Sequence, residues 1–328
     1  MPVAPNATME IVSFDALDGW AADDHAAALS VFAVTANQLD GPDWHEARSG
    51  LSVAHRHPRG YFERFFCPVW IDAATPALFT GYYEPEVSGA RDPSAQFSHP
   101  VYRTPPEAQP GPWVSRREIE EKQLLQGRGL EIAWLQDAMD LFFLQVQGSG
   151  RIRLSEGGSI RVGYDGRNGH PYHSIGQELI RRGLFEPHQM SAQAIRDWVR
   201  SHPVDGRELL FHNPSYIFFR EIELSDAAAG PLGAMNCSVT PMRSIAVDPA
   251  HTPLGAPVWI EKGGAFPLHR LMIAQDTGGA IKGAQRADIF FGSGDAAGLA
   301  AGGVRDRGRM IVLLPRAMAQ RCAIGKGV

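Results

Sequence analysis

One stretch constrains this chain more than any other: Leu271-Met-Ile-Ala-Gln-Asp-Thr-Gly-Gly-Ala-Ile-Lys-Gly-Ala-Gln-Arg-Ala-Asp-Ile-Phe-Phe291. An apolar run from Leu271 to Ala274 leads into Asp276, and a second run from Ile289 to Phe291 leads out of Asp288. With a glycine-rich segment between them, the pattern reads strand, loop, strand, and both acids fall at strand ends. If the two strands pair, with neighbours ~5 Å apart, the carboxylates face each other across the loop at roughly 5 to 10 Å. Carboxylates at that separation do acid and base work on glycosidic bonds.

The surroundings continue the pattern. From Met235 onward the chain reads almost entirely as strand and turn: Ser244-Ile-Ala-Val-Asp-Pro, Ala256-Pro-Val-Trp-Ile-Glu, Arg270 to Gln275, Ile289-Phe-Phe-Gly and Arg309-Met-Ile-Val-Leu-Leu-Pro. A compact all-β barrel closes so many short strands economically. Asp248 is a third acid at a strand end, and three such aspartates in one small β-unit point to catalysis as much as to turn chemistry.

The first two thirds are more mixed. His25 to Leu39 has apolar residues at helical spacing behind Asp23 and Asp24, which suit a helix start. Gly60 to Val69 is a second amphipathic segment, with Cys67 a core residue. Leu78 to Glu86 is a short strand ending in an aromatic and acidic cluster, where Tyr82 and Tyr83 either stack on sugars or fill a core. Glu84 and Glu86 are a second place to look for an acid, and read more readily as a solvated turn beside Pro85. Val87 to Ser115 reads as extended loops, with a new unit beginning near residue 88, and Ser115 and Glu118 have capping-box spacing for a helix. Leu141 to Gly150, Arg151 to Leu154 and Ser159 to Tyr164 alternate apolar with polar and read as a β-meander. Gly148-Ser-Gly150 is too short for a phosphate loop. Tyr164 to Tyr172 is a loop of amides, aromatics and hydroxyls, either an ordinary turn cluster or part of a saccharide groove. Helical patterns cover His173 to Gly183 and Ser191 to Ser201, and Asn213 to Glu221 reads as a strand. Asp226-Ala-Ala-Ala-Gly-Pro reads as a linker, placing a boundary near 225–235.

With 328 residues, two domains or one domain with an insertion is expected. A net charge of -5 and the lack of any basic run speak against nucleic-acid binding. Three widely spaced cysteines, Cys67, Cys237 and Cys322, form no metal-site pattern and require no disulfide. No run of ~18 apolar residues suggests a membrane span, and the start shows neither a basic, apolar leader nor a lipidated cysteine.

Six ordered motifs carry a resemblance: Thr80-Gly-Tyr-Tyr-Glu-Pro; Gln145-Val-Gln-Gly-Ser-Gly; Tyr164-Asp-Gly-Arg-Asn-Gly with Tyr172; Asn213-Pro-Ser-Tyr with Phe218-Phe-Arg; Ser244-Ile-Ala-Val-Asp; and Asp276-Thr-Gly-Gly-Ala-Ile-Lys-Gly with Asp288. Over about residues 75 to 315 the chain resembles the membrane-bound lytic transglycosylase A family of murein-degrading enzymes. The resemblance implies an α+β, mainly β fold: a double-psi β-barrel catalytic domain from residues 1–87 and 236–328, an inserted β-rich substrate-binding domain at 88–235, and a groove between them. It implies cleavage of the β-1,4 bond between N-acetylmuramic acid and N-acetylglucosamine, leaving a 1,6-anhydromuramoyl end, with no metal or organic cofactor.

By the same match Asp288 is the single acid and then base, and Asp276 and Asp248 are supporting acids. Thr80, Tyr82, Gln147, Ser149, Asn168, Tyr172 and Lys282 match substrate-binding positions. Burial beside Ile289 and Phe290 and repulsion from Asp276 would raise the pKa of Asp288, while Lys282 and Arg286 would lower it. Peptidoglycan glycan strands are the implied partner, with a cell-wall enzyme complex beside them, a monomeric state and a periplasmic location associated with the outer membrane. Two rival readings exist. Asp276-Thr-Gly has the tripeptide of an aspartic protease, but Gly279 follows it and there is no second copy. The other rival is an expansin- or endoglucanase-like barrel that binds or hydrolyses polysaccharide.

Overall fold

The computed structural model describes residues 8–72, 74–108, 112–223 and 230–324, with side chains to residue 321. The chain begins with β1 (Met9–Ile11), α1 (His25–Ala36), α2 (His45–Ala54), α3 (Pro58–Phe65), β2 (Phe66–Ile71) and β3 (Ala77–Glu84). The middle holds β4 (Glu86–Ala90), β5 (His99–Tyr102), α4 (Arg116–Glu121), β6 (Glu131–Leu135), α5 (Ala138–Gln147), β7 (Ser149–Leu154) and β8 (Ser159–Arg167). It continues through α6 (Ile175–Arg181), α7 (Ala192–Ser201), α8 (Pro203–Phe211) and β9 (Ile217–Ile222). The last part is β10 (Ser244–Val247), β11 (Pro257–Lys262), β12 (Leu268–Thr277), β13 (Arg286–Ser293), α9 (Gly294–Gly302), β14 (Arg305–Pro315) and α10 (Arg316–Ile324).

Two compact units result. The first takes the described residues up to 82, 232–292 and those from 299 onward; the second takes 83–231 with 293–298. In the first, strands run in the order β14, β11, β12, β10, β13, β3, and β3 pairs back onto β14, which closes a six-stranded barrel. β10 and β12 are parallel, whereas β10–β13, β11–β12, β11–β14 and β14–β3 are antiparallel. β2 and then β1 extend from the far part of β14. A closed barrel leaves no exposed sheet edge, so its inner strands read as unbroken apolar runs. Every residue of β11 is buried, as are Met310 to Pro315 of β14.

α1 starts where Asp24 accepts the Ala27 N–H at 3.0 Å and packs Ala28, Phe32 and Ala36, all fully buried, into the barrel core. Asp23 does different work, pairing with Arg243 and accepting the Leu271 N–H.

The second unit is a six-stranded sheet in the order β5, β6, β4, β7, β8, β9, in which β4 and β7 are parallel. Its helices wrap a separate core around Met139, Phe142 and Leu179. The capping box at Ser115 and Glu118 is present, as is the Ser191 cap of α7.

Several expectations need correction. Leu141 to Gln147 is helix, not a strand of a meander. Asp137 caps it by accepting the Met139 N–H at 2.7 Å, and Gly148 ends it at φ 76°. Met139, Phe142 and Leu144–Gln145 fall on the buried face at helical spacing, and a short Leu/Phe run satisfies either period. Val87 to Ser115 is not all loop, because β4 and β5 lie in it. The C-terminal third also contains α9 and α10. Gly60 to Val69 divides into the end of α3 and the start of β2. The linker reading at Asp226 to Gly230 falls mostly outside the described residues.

Closure depends on Gly308, which pairs with Ala77 of β3 on one side and Lys262 of β11 on the other. A Cβ there would lie 1.8 Å from the Glu261 carbonyl oxygen, and that oxygen is backbone, so the barrel itself must shift. Gly308→Ala is expected to destabilise the protein by about 3 kcal/mol, an overpacking cost at the upper end of the usual range, read by urea unfolding. A wild-type midpoint would show that the closure tolerates side chains.

Candidate active site

Asp276 and Asp288 lie on strands that do not pair. β10 runs between β12 and β13, and its Ala246 is directly opposed to Asp276 on one side and to Asp288 on the other. Directly opposed residues project from the same face of a sheet, so both carboxylates stand on one face with a methyl group between them. Two strand spacings put their backbones about 10 Å apart, twice the separation of paired strands. A larger residue than alanine would fill the space between the acids.

β3 adds the next two groups. Thr80 and Tyr82 share a face two residues apart. The Thr80 hydroxyl donates to Asp288 Oδ1 at 2.5 Å, and Arg286 donates to the Thr80 oxygen at 2.8 Å. Because the guanidinium occupies the acceptor side of the hydroxyl, the single hydroxyl proton is directed at Asp288. Asp288 Oδ2 accepts no hydrogen bond among the described residues. The Tyr82 hydroxyl donates to Asp276 Oδ2 at 3.0 Å, while its ring packs 5.1 Å from Phe290. The backbone N–H groups of Ala234 and Thr277 donate to Asp276 Oδ1 at 3.0 and 2.8 Å.

This arrangement makes the acids unequal. Both are half-buried with their pKa raised. For Asp288 burial is the leading cause, opposed by the Thr80 hydrogen bond and the Arg286 charge. For Asp276 burial lifts the pKa to about 6 despite the Thr277, Tyr82 and Ala234 donors, and the charge of Asp288 adds to the rise. Among the described residues three donors hold the Asp276 carboxyl, while Asp288 has one donor and the Arg286 charge beside it, so the two acids are raised by the same cause and restrained by different ones.

Asp248 stands just past the end of β10. Its carboxylate accepts the Gly283 and Ala250 N–H groups at 2.9 and 3.2 Å, with Lys282 at 3.9 Å. Burial opposes ionisation there, but these donors and the lysine hold its pKa below the usual carboxylate value. Asp248 thus braces the 278–285 loop, and Lys282 is exposed above it.

The remaining residues named from the sequence belong to the inserted unit. Gln147 and Ser149 flank the Gly148 turn, and Gln147 Oε1 accepts the Tyr83 N–H at 3.2 Å. Tyr172 is exposed in the loop before α6. Asn168 corrects the expectation of a groove residue, being fully buried. Its amide donates to the Val114 and Pro214 carbonyls and accepts the Tyr216 N–H, so it ties loops together and leaves no group for a ligand.

Glu84 is a second correction. Instead of forming a solvated turn it is fully buried, taking two hydrogen bonds from Arg161, one from Arg151 at 3.0 Å and one from Ser293 at 2.6 Å. Glu84 ends β3 and Ser293 ends β13, so this one carboxylate ties together the ends of the strands that bring in Thr80 and Asp288. No sequence pattern could reveal this, because the arginines lie 67 and 77 residues away. Ala246 was likewise invisible, since its importance is entirely one of register.

Two measurements follow. A free aspartate titrates at 3.8 and folded Asp276 at about 6, so the stability contributed by its protonated form is present below 3.8 and lost as pH rises through 6. Asp276→Asn stays neutral and should gain on the wild type by on the order of 1–3 kcal/mol between pH 4 and pH 7.5 in urea unfolding. An equal difference at both pH values would mean that Asp276 titrates as a free aspartate. Glu84→Gln should cost about 3 kcal/mol or more of thermal stability, because two guanidinium groups lose their buried counter-charge; a surface-like loss under 0.5 kcal/mol would contradict the buried geometry.

Comparison with known proteins agrees with the architecture. Residues 78–220 match the MltA specific insert domain and residues 243–314 match the 3D domain. The membrane-bound lytic murein transglycosylase A of Vibrio cholerae is 38% identical over 244 residues, covering 71% of this chain. The chain spans 64% of that relative's length in the match. The crystal structure of a membrane-bound lytic murein transglycosylase from Agrobacterium tumefaciens superposes with a TM-score of 0.84 at 34% identity, over 96% of this chain and 99% of the other. Escherichia coli MltA with bound chitohexaose superposes with a TM-score of 0.76 at 30% identity, over 89% and 90%. A closed barrel with an inserted β-rich unit, matched across nearly the whole of a solved relative, places this chain in the membrane-bound lytic murein transglycosylase A family.

Proposed function

We propose that this protein is a peptidoglycan lytic transglycosylase, cutting the β-1,4 bond between N-acetylmuramic acid and N-acetylglucosamine with Asp288 as its one acid and base. The observation that carries the reading is Asp288 itself. It is a half-buried carboxylate with a raised pKa, with Oδ1 held by Thr80 and Oδ2 accepting no hydrogen bond among the described residues, standing on the same sheet face as Asp276. The binding of chitohexaose by the Escherichia coli relative supports a β-1,4-linked glycan as substrate.

The protonated Oδ2 of Asp288 gives its proton to the glycosidic oxygen, the C1–O bond breaks, and the N-acetylglucosamine end leaves as an alcohol. The Asp288 carboxylate then takes the proton of the muramoyl C6 hydroxyl as O6 bonds to C1. The proton lent in the first half is returned in the second, no water is consumed, and the product ends in a 1,6-anhydro ring. Thr80 keeps Oδ1 engaged throughout and stabilises the carboxylate between the two halves. The Asp276 carboxylate, fixed by Tyr82 and two backbone donors, stabilises the positive charge that develops at C1. Thr80, Tyr82, Lys282, Gln147, Ser149 and Tyr172 are the substrate-contacting candidates, and murein places the enzyme in the periplasm.

Product mass decides between this and the hydrolytic or binding alternatives. Incubation with purified murein sacculi should release anhydro-muropeptides, and Asp288→Asn should abolish the release while retaining sacculus binding. Reducing-end products or no release would overturn the reading. Thr80→Val removes the donor that favours the Asp288 carboxylate, so its pKa should rise further and the high-pH limb of the rate profile should move to higher pH. An unmoved limb would take Thr80 out of the proton-transfer chemistry.

A further inference from the structure

The inserted unit contains a cavity of about 1330 Å³, lined only by residues between Ser88 and Tyr216. Its floor is built from strand register. Trp134 of β6 is directly opposed to Pro100 of β5 and to Ala90 of β4. The three therefore project from one face, and the indole and the proline ring form a flat apolar strip that the small Ala90 does not crowd. Trp134 and Pro100 are half-buried, so the strip is open to a ligand.

Around the strip stand unspent hydrogen-bonding groups. Among the described residues, the side chains of Ser88, Ser98, Gln123, Gln126 and Gln136 make no hydrogen bond, nor does the indole N–H of Trp134, and all six residues line the cavity. Hydroxyl and amide groups of this kind both donate and accept, as sugar hydroxyls and acetamido groups do.

The charged groups of the lining carry no net positive charge. Arg116, Arg200 and Arg207 face Glu120, Glu131, Asp137 and Asp140, three cations against four anions. Arg116 is paired with Glu120 at 3.2 Å, Arg200 with Asp137 at 2.6 Å, and Asp140 with Arg196 at 2.5 Å. Burial lowers the pKa of His99 below the ordinary imidazole value. A lining with more carboxylates than guanidinium groups does not select a phosphate or the carboxylates of a peptide stem. A flat apolar strip ringed by neutral donors and acceptors selects an uncharged sugar.

From this geometry we infer that the inserted unit has a saccharide-binding site of its own, centred on Trp134 and made of residues of that unit alone, which takes a neutral N-acetylhexosamine oligosaccharide. The identity of the sugar rests on the murein-cleaving reading, while the site rests on the cavity. Its role is to hold a glycan segment other than the one presented to Asp288, which raises the local concentration of an insoluble polymer without entering the chemistry.

The test is titration calorimetry of the full chain carrying Asp288→Asn with chitohexaose, with and without Trp134→Ala. Two binding events are expected, of which Trp134→Ala weakens one on the order of tenfold, the loss carried by one aromatic stacking contact, while Trp134→Phe retains it. In the otherwise wild-type enzyme, Trp134→Ala should raise the sacculus concentration for half-maximal rate and leave turnover of a short soluble glycan unchanged. One binding event, or two that Trp134→Ala leaves alone, overturns the site. Should Trp134→Ala lose its cooperative thermal transition, Ser98→Ala with Gln136→Ala reads the rim in its place, by the same criterion. Failure of the wild type to release anhydro products would overturn the cleavage reading instead, and the calorimetric result stands apart from it.

Discussion

The register of β10 is the constraint on which the candidate active site depends. Ala246 opposes Asp276 through a parallel pairing and Asp288 through an antiparallel one, so two acids separated by 12 positions in the chain are brought to one sheet face. A slip of one residue in either pairing would turn one carboxylate into the barrel interior. The closed barrel prevents such a slip, because β14 pairs with β3, β11 and β2 together and no strand can move without breaking several ladders. Barrel closure thus fixes the relative placement of the two carboxylates as well as supporting stability.

Upon that frame, the electrostatics divide the two acids by hydrogen-bond count. Burial raises both, and a low local dielectric makes every donor nearby count for more than it would in water. Among the described residues Asp276 has three donors and Asp288 has one, itself backed by Arg286, so burial is opposed by hydrogen bonds at the first and by one hydrogen bond and a nearby charge at the second. Glu84 contributes from further along the same strands. Its carboxylate joins the ends of β3 and β13 within the inserted unit, where Arg161, Arg151 and Ser293 all donate to it.

The inserted unit obeys the same physical rules with a different outcome. Its sheet also sets side chains abreast by register, but the face it offers at β4, β5 and β6 is apolar and neutral where the barrel offers carboxylates. Asn168 shows how polar residues in this unit are spent: a motif residue with the chemistry of a sugar ligand is used to join three backbone segments. Nearby, Ser88, Ser98 and Gln136 keep their hydrogen-bonding capacity because they lie on the solvent side of the same kind of sheet.

The sequence alone determined the β-character of the C-terminal third, the strand ends that carry Asp248, Asp276 and Asp288, and the helix caps at Asp24, Ser115 and Ser191, because strand alternation and capping are properties of neighbours in the chain. It also carried the six motifs that resemble one family. The helix over Leu141 to Gln147 escaped it, since a short Leu/Phe run fits either period until Asp137 and Gly148 are seen to bound it. Tertiary structure alone decided that β10 separates the two acidic strands, that Glu84 is buried between arginines 67 and 77 positions away, and that Trp134 and Pro100 lie side by side. Each of these depends on which strands become neighbours, and strand pairing is set by long-range packing that no local pattern encodes.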